Sequence, residues 1–193
     1  MKRTIIEKLI IAVVAMGVIV ATIFFTLEDE DPAPLSVPVP IGIDDLNATG
    51  FVSYMPGLNN PEFGGIDDIQ LKPDERVLVL HIDGTVYGFP LLHMSGAGEH
   101  IVNCSLDGLA ISVAHCNEAD VSRVFQGDAN TRRLDLSQAG LFKNELRLVH
   151  SDDEYQISDK SVPLDDVQFA EMTWSEFKSE YSDGLVYMWP TWD

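Results

Sequence analysis

Residues 99–116, EHIVNCSLDGLAISVAHC, constrain the fold more than any other stretch of the chain because they have the pattern of a complete β-hairpin. Asp107-Gly108 separates two apolar runs and favours a type I′ turn, in which both central residues need a positive φ. Side chains alternate along a strand, so a two-residue loop determines which residues oppose each other. On one face the expected register pairs Leu106 with Leu109, Cys104 with Ile111, Val102 with Val113 and His100 with His115.

The two cysteines of the chain both lie in this hairpin, but on opposite faces. Cys116 falls opposite Glu99, whereas Cys104 shares its face with aliphatic residues. A disulfide needs Cα atoms within about 7 Å of each other, and this register keeps the two thiols several rungs apart. We therefore expect both thiols to be unpaired, with Cys104 acting as a small buried apolar residue.

The cross-strand pair of His100 and His115 is the most specific candidate site. One hypothesis is a transition-metal site formed by this pair and joined by His93, with Cys116 or Glu99 nearby, because imidazole and thiolate ligands suit Zn or Cu. Cys116 would reach such a site only if a bulge turned it to the other face of the strand. The other hypothesis is a metal-free pair that shares hydrogen bonds at the open end of the hairpin.

A second hairpin is expected over residues 76–91, RVLVLHIDGTVYGFPL, around Asp83-Gly84. In its register His81 lies beside Val86, on the face opposite the main apolar row. Residues 92–98 connect the two hairpins and contain several small residues, so we expect at most one helical turn there.

The rest of the domain is expected to contain shorter strands and one helix. Thr173-Trp174-Ser175-Glu176 has the pattern of a capping box, which predicts that a short helix starts at Thr173 and ends by Gly184. The remaining expected elements are an irregular stretch over residues 41–68, strands over 121–126 and 133–136, a hairpin over 141–150, an acidic loop over 151–166 and a last strand over 185–189. Together these patterns predict a β-rich α+β fold of antiparallel hairpins with a short C-terminal helix.

One N-terminal transmembrane helix is expected to precede this domain. Residues 9–27, LIIAVVAMGVIVATIFFTL, carry no charge and are long enough to span a bilayer, whereas the apolar part of a cleaved signal peptide is shorter. We therefore favour a retained signal-anchor over a cleaved signal. The basic residues before it indicate an inner-membrane protein whose domain faces the periplasm or the outside. The expected organisation is a cytoplasmic stub and anchor over 1–27, an acidic proline-rich linker over 28–40 and an extracytoplasmic domain over 41–193.

The charge of the chain restricts its partners. It has 12 Lys and Arg against 31 Asp and Glu, a formal net charge of −19 at pH 7. Nucleic-acid binding needs a basic surface that displaces counterions from phosphates, and this composition argues against one. The sequence has no G-x-S-x-G, no H-E-x-x-H and no phosphate-binding glycine loop, so no reaction is indicated. A membrane-tethered binding or structural module is the expected function, with a protein partner unknown and transition-metal binding as the alternative.

Five segments of the domain also resemble a known family in their order and spacing: GTVYGFPL (84–91), EHIVN (99–103), VAHC (113–116), RVF (123–125) and MTWSEF (172–177). The chain resembles, over about residues 50–189, a bacterial and archaeal family of extracytoplasmic domains of unknown function, family number 3179. Its layout is similar to that of planctomycete-type membrane-anchored members. The family often has a second cysteine shortly after the first, whereas residues 117–121 here have none, so no C-x-x-C pair is present.

Overall fold

A computed structural model describes residues 55–189 of the chain. Within this range it contains fourteen strands, one α-helix and a 3₁₀ turn. The strands are β1 Met55–Pro56, β2 Leu58–Asn59, β3 Phe63–Gly65, β4 Arg76–Ile82, β5 Thr85–Pro90, β6 Ile101–Leu106, β7 Leu109–Cys116, β8 Val121–Gln126, β9 Ser137–Phe142, β10 Glu145–His150, β11 Asp153–Gln156, β12 Asp165–Asp166, β13 Ala170–Thr173 and β14 Leu185–Tyr187. The 3₁₀ turn is Leu91–Met94 and helix α1 is Trp174–Glu180.

The strands form three sheets that stack as layers. The helix-side sheet has the order β13-β4-β5-β14-β3, the middle sheet β12-β8-β7-β6-β2, and the outer sheet β1-β9-β10-β11. Two inner strands of the middle sheet, β6 and β7, are buried along most of their length. The middle sheet therefore has apolar contacts on both of its faces, and the fold is β-rich as expected.

Three apolar clusters hold the layers together, each with alternate residues of the strands it joins. The first lies between the helix-side and middle sheets, and its buried members include Leu78, Leu80, Phe89, Val102, Cys104, Ile111, Val113 and Tyr187. The second lies between the middle and outer sheets, and its buried members include Ile101, Ala114, Cys116, Phe125, Leu146 and Leu148. The third packs helix α1 on the other face of the helix-side sheet, and its buried members are Val77, Val79, Trp174, Phe177 and Val186.

Both expected hairpins have the predicted register. In the first, Ile82 pairs with Thr85 and His81 with Val86. In the second, the observed pairs run from Leu106 with Leu109 to Ile101 with Ala114. Asp107 and Gly108 have φ values of 49° and 84°, as a type I′ turn requires, and the Asp83-Gly84 turn is similar. The turn residues therefore determined these registers.

Helix α1 begins with the predicted capping box. The Glu176 amide donates to the Thr173 hydroxyl at 3.3 Å, and the Thr173 amide donates to the Glu176 carboxylate at 2.8 Å. The helix ends at Glu180, before the expected stop at Gly184, since Tyr181 already has a non-helical backbone. Trp174 and Phe177 anchor the helix by burying their rings.

Two expected elements of the chain's second half were wrong. Residues 133–136 form no strand, because the Leu136 carbonyl accepts from the Gly57 amide and the Asn103 side chain and so does not join a ladder. Residues 151–166, expected to be a loop, contain β11 and β12. Ser151 and Asp152 both adopt a positive φ, and this turn folds β11 back onto β10 while its acidic side chains face solvent.

Parallel strand pairs were also not expected. Strand β2 pairs in parallel with β6, and β14 pairs in parallel with β5. Both contacts join segments far apart in the chain, so the sheets are mixed. The last strand spans Leu185–Tyr187, which is shorter than the expected 185–189.

The described part of the domain has no helix that is long and apolar enough to cross a membrane. The expected anchor over 1–27 and linker over 28–40 lie outside the described residues. The anchor, the linker and the domain boundary at residue 41 therefore stay predictions.

Candidate functional site

Polar side chains gather at one end of the core between the helix-side and middle sheets. Strands β5, β7 and β14 end there, β4 and β6 begin there, and the 3₁₀ turn crosses from one sheet toward the other. We call this region the histidine end and define it by His93, Glu99, His100, His115 and Tyr187. It combines the three histidines of the predicted metal set with the buried side chains of Glu99 and Tyr187.

His100 and His115 lie opposite each other, as the hairpin register predicted. The His115 amide donates to the His100 carbonyl at 2.9 Å, one rung beyond the pair of Ile101 with Ala114. Burial lowers the pKa of both imidazoles below the ordinary value of 6.5, and the positive charge of His100 lowers the pKa of His115 further. The two rings are therefore set up to be neutral at neutral pH.

A polar chain links His115 to the helix-side sheet. His115 Nδ1 lies 3.1 Å from the Ser122 hydroxyl, and this hydroxyl donates to the Glu171 carboxylate at 3.0 Å. Glu171 also pairs with Arg76, which reaches Asp120 as well. Since the one hydroxyl hydrogen of Ser122 goes to Glu171, we assign the His115 proton to Nδ1.

The hydrogen-bonded groups Glu171, Ser122 and His115 are in a different order from the groups of a nucleophilic triad. A triad places the imidazole between the carboxylate and the hydroxyl, so that the imidazole can take the hydroxyl proton. Here Ser122 lies between Glu171 and His115. The arrangement therefore orients His115 and joins two sheets, without the geometry of an activated serine.

His93, Glu99 and Tyr187 form the inner part of the histidine end. His93 and Glu99 are each 8% exposed, and Tyr187 is fully buried. The His93 ring centroid lies 6.1 Å from that of Tyr187, and the Glu99 charge acts on the Tyr187 hydroxyl. The buried polar atoms here that have no hydrogen-bond partner are His93 Nδ1, Glu99 Oε2, His100 Nδ1 and Tyr187 Oη.

Burial shifts these three titratable groups toward their neutral forms. It lowers the pKa of His93, and the Tyr187 carbonyl opposes this shift as a hydrogen-bond acceptor. It raises the pKa of the Glu99 carboxyl above 4.5, and it raises the pKa of the Tyr187 hydroxyl, which the Glu99 charge raises further. The inner part is thus a low-dielectric, polar site.

A glycine loop covers the Glu99 carboxyl. A Cβ added to Gly96 would lie 2.0 Å from Glu99 Oε2, and Gly98 has a φ of +87°. Only residues without a Cβ allow this approach and this backbone conformation at low cost. The small residues of this loop, noted from the sequence as a connector, therefore serve the site directly.

Trp189 borders the site at the surface. Its ring centroid lies 5.3 Å from that of His93 in an edge-to-face arrangement, and its side chain is 37% exposed. No pattern in the sequence indicates that Tyr187 or Trp189 lies beside His93. The parallel pairing of β14 with β5 places them there.

The four residues of the predicted metal set do not come together as one group. Cys116 is buried in the cluster between the middle and outer sheets, on the face opposite His100 and His115. No group of three or more His, Cys, Asp or Glu side chains within residues 55–189 is placed to hold a metal ion. Metal binding by His100 and His115, with His93 or Cys116, stays a prediction that the geometry does not support.

A cleft of about 520 Å³ lies at the other end of β8. Three of its charged side chains already have partners: Asp128 accepts from Thr131 and the Asn130 amide, and Arg133 pairs with Asp135. The histidine end, by contrast, contains polar atoms that lack partners, so it is the stronger candidate.

Comparisons with known proteins give a family and no function. No curated protein and no solved structure matches the chain. The model of one family, described as "Protein of unknown function (DUF3179)", matches residues 53–191. This match covers all of the described residues, including both hairpins, the histidine end and helix α1. The chain therefore belongs to the DUF3179 family, as the resemblance of its five segments indicated.

Proposed function

We propose that the protein is a membrane-anchored extracytoplasmic binding module, and that the histidine end binds a small polar ligand. The observation that carries this proposal is the set of buried polar atoms without partners on His93, Glu99 and Tyr187. All three side chains are more than nine-tenths buried, and they come from two distant segments of the chain, the connection between β5 and β6 and strand β14.

The physical argument is the cost of an unpartnered polar atom. Leaving a buried donor or acceptor without a hydrogen bond costs about 1–3 kcal/mol. Such atoms are rare in folded proteins and are usually satisfied by ordered water or by a ligand. Several of them in one place, next to the exposed ring of Trp189, favour a binding site over a packing accident.

Two features argue for binding without a reaction at this site. The Ser122 hydroxyl is held between Glu171 and His115 in an order that does not activate it. Burial keeps Glu99 and His93 toward their neutral forms, which can donate and accept hydrogen bonds to a ligand. The arrangement supports recognition of polar groups.

Ligand binding is tested with the full-length protein in detergent, using a panel of sugars, polyols, amino acids and amines. We expect at least one class to raise the melting temperature. Tyr187→Phe and Glu99→Gln should abolish this rise. The control variants Tyr181→Phe, at a half-buried position, and Glu180→Gln, at an exposed position, should retain it. A panel in which no compound stabilises the parent protein more than the site variants would refute the binding role.

The membrane part of the proposal rests on the uncharged run over 9–27 and its basic flank. Protease treatment of spheroplasts tests it, since an outward domain should be digested while the cytoplasmic end is protected. A protected domain, or a mature protein that begins near Glu28, would contradict the anchor.

Transition-metal binding is the alternative function, and the opposition of His100 and His115 is the observation that favours it. Elemental analysis of the purified full-length protein tests it. Stoichiometric Zn or Cu that is lost in His115→Gln would support a metal site. A metal-free protein whose melting temperature does not respond to added Zn or Cu would remove this alternative.

A further inference from the structure

We propose that the histidine end recognises a primary ammonium group, such as the head of an alkylamine or an amino compound. This inference rests on the proposed binding function and specifies its ligand. It follows from the unpartnered atoms, from the charge around them and from their burial.

The unpartnered atoms match the donors of an ammonium group. Glu99 Oε2, Tyr187 Oη and His93 Nδ1 each have a lone pair that can accept a hydrogen bond. A primary ammonium has three N–H donors and no acceptor. One ammonium nitrogen can therefore satisfy three acceptors, whereas a single hydroxyl group can donate only one hydrogen bond.

Charge also favours a cation at this position. The ion pairs formed by Lys and Arg among residues 55–189 involve other carboxylates, and none includes Glu99. A buried carboxyl group without a cation is held toward its neutral form by burial. An ammonium ligand would pair with the carboxylate, and the net charge of −19 would attract such a ligand toward the domain.

The enclosure of the site limits the size of the head group. The three acceptor atoms have almost no accessible surface, and the Gly96 backbone lies directly against Glu99. A primary ammonium is close to a water molecule in size, whereas a trimethylammonium group is much larger and has no N–H donor. The rest of the ligand would extend toward the exposed ring of Trp189, which lies beside His93.

The inference is tested by calorimetry on the full-length protein in detergent near neutral pH. The probes are butylammonium, the neutral butanol and butyltrimethylammonium, which share one alkyl chain and differ in the head group. We expect butylammonium to bind at least about tenfold more tightly than the other two, since hydrogen bonds to a charged group are worth more than neutral ones. Glu99→Gln should weaken butylammonium binding by at least about tenfold.

Matched variants separate this site from general attraction to an acidic surface. Tyr187→Phe should weaken butylammonium binding several-fold, whereas Tyr181→Phe and Glu180→Gln should leave it unchanged. Gly96→Ala provides a second perturbation of the Glu99 carboxyl if Glu99→Gln fails to fold, and it should weaken binding as well. Equal losses in Glu99→Gln and Glu180→Gln would mean non-specific charge attraction and would overturn the inference.

The inference and the proposed function fail in different ways. Butanol binding as tightly as butylammonium would overturn the ammonium inference and leave the binding module standing. Binding of a sugar or polyol from the broader panel, without binding of butylammonium, would also overturn the ammonium inference and leave the binding module standing. Failure of every compound, with the unpartnered atoms satisfied by ordered water alone in an experimental structure, would overturn both.

Discussion

His100 and His115 face each other at the open end of the hairpin formed by β6 and β7, where the amide of His115 donates to the carbonyl of His100 at 2.9 Å. Two imidazoles in this position cannot both be protonated without mutual repulsion. The turn determines the hairpin register and so brings the two histidines together. This register can therefore be tested by measuring how the two histidines titrate.

The first prediction concerns this titration. Replacing His100 by glutamine should raise the pKa of His115, because it removes a positive charge that lowers it. The pKa should still stay below 6.5, since burial is the larger cause. Ring-proton NMR as a function of pH measures both values. Independent titration of the two rings at ordinary values in the parent protein would contradict the pairing.

The second prediction concerns stability against pH. Burial lowers the pKa of His93, His100 and His115, so below about pH 6.5 the unfolded chain binds protons that the folded chain does not. The free energy of unfolding should therefore fall as the pH is lowered from about 7 toward 5. Burial raises the pKa of Glu99 instead. The stability that the neutral Glu99 carboxyl contributes is therefore present below pH 4.5 and is lost as the pH rises through its higher pKa in the folded protein.

Urea unfolding of the full-length protein at several pH values measures this dependence. His93→Gln should make the loss of stability on acidification smaller, whereas His81→Gln, at an exposed position, should leave it unchanged. If the free energy of unfolding rose as the pH was lowered from about 7 toward 5, the three histidines would not be the main cause of the pH dependence of stability.

The third prediction compares two buried tyrosines. The Tyr87 hydroxyl donates to the Asp107 carboxylate at 3.1 Å, whereas the Tyr187 hydroxyl has no partner. Tyr87→Phe should lower the free energy of unfolding by about 1 kcal/mol, the usual net value of a hydrogen bond. Tyr187→Phe should cost nothing or should stabilise the ligand-free protein, because it removes an unsatisfied polar group. Equal losses in the two variants would imply that ordered water satisfies Tyr187.

The fourth prediction concerns the thiols. Cys104 and Cys116 are both free and buried, and they belong to different apolar clusters. Burial raises the pKa of the Cys104 thiol to about 12, which leaves almost no reactive thiolate near neutral pH. We expect neither thiol to be alkylated in the folded protein and both to be alkylated in denaturant. Intact mass spectrometry measures this, and a mass lower by two hydrogens would show a disulfide instead.

The fifth prediction compares two arginines that join separate strands. Arg123 has a side chain that is 12% exposed, donates to Asp166 through Nε and Nη2 and lies 4.5 Å above the Phe125 ring. Arg76, at 46% exposed, pairs with Asp120 and Glu171 at the surface. Arg123→Ala should cost about 2 kcal/mol, because the guanidinium is mostly buried, makes charge-assisted hydrogen bonds and packs on the Phe125 ring.

Arg76→Ala should cost less than about 1 kcal/mol, since exposed ion pairs contribute little and are screened by salt. Chemical unfolding at low and high salt distinguishes the two residues. A larger loss for Arg76 than for Arg123 would mean that the link between Arg76, Glu171 and His115 matters more to stability than its exposure suggests.

The elements that could be predicted have local causes. Asp83-Gly84 and Asp107-Gly108 specify their turns through positive φ values, and each turn determines the register of the strands beside it. The capping box at Thr173 specifies where helix α1 starts. The two wrong predictions concern segments without such a local cause. Residues 133–136 form no strand because the Leu136 carbonyl accepts hydrogen bonds from Gly57 and Asn103. Strand β11 forms through backbone pairing with β10, although its side chains include two exposed acidic residues.

The sequence by itself determined the two hairpins, the opposition of His100 and His115, the separation of the cysteines and the start of the helix, because turn and capping residues act within a few positions of the chain. Only the tertiary structure decided that three sheets stack, that β14 joins β5 in parallel, and that Tyr187 and Trp189 therefore reach His93 and Glu99. Such contacts join distant segments and depend on how whole apolar faces fit together, so no short pattern in the chain encodes them.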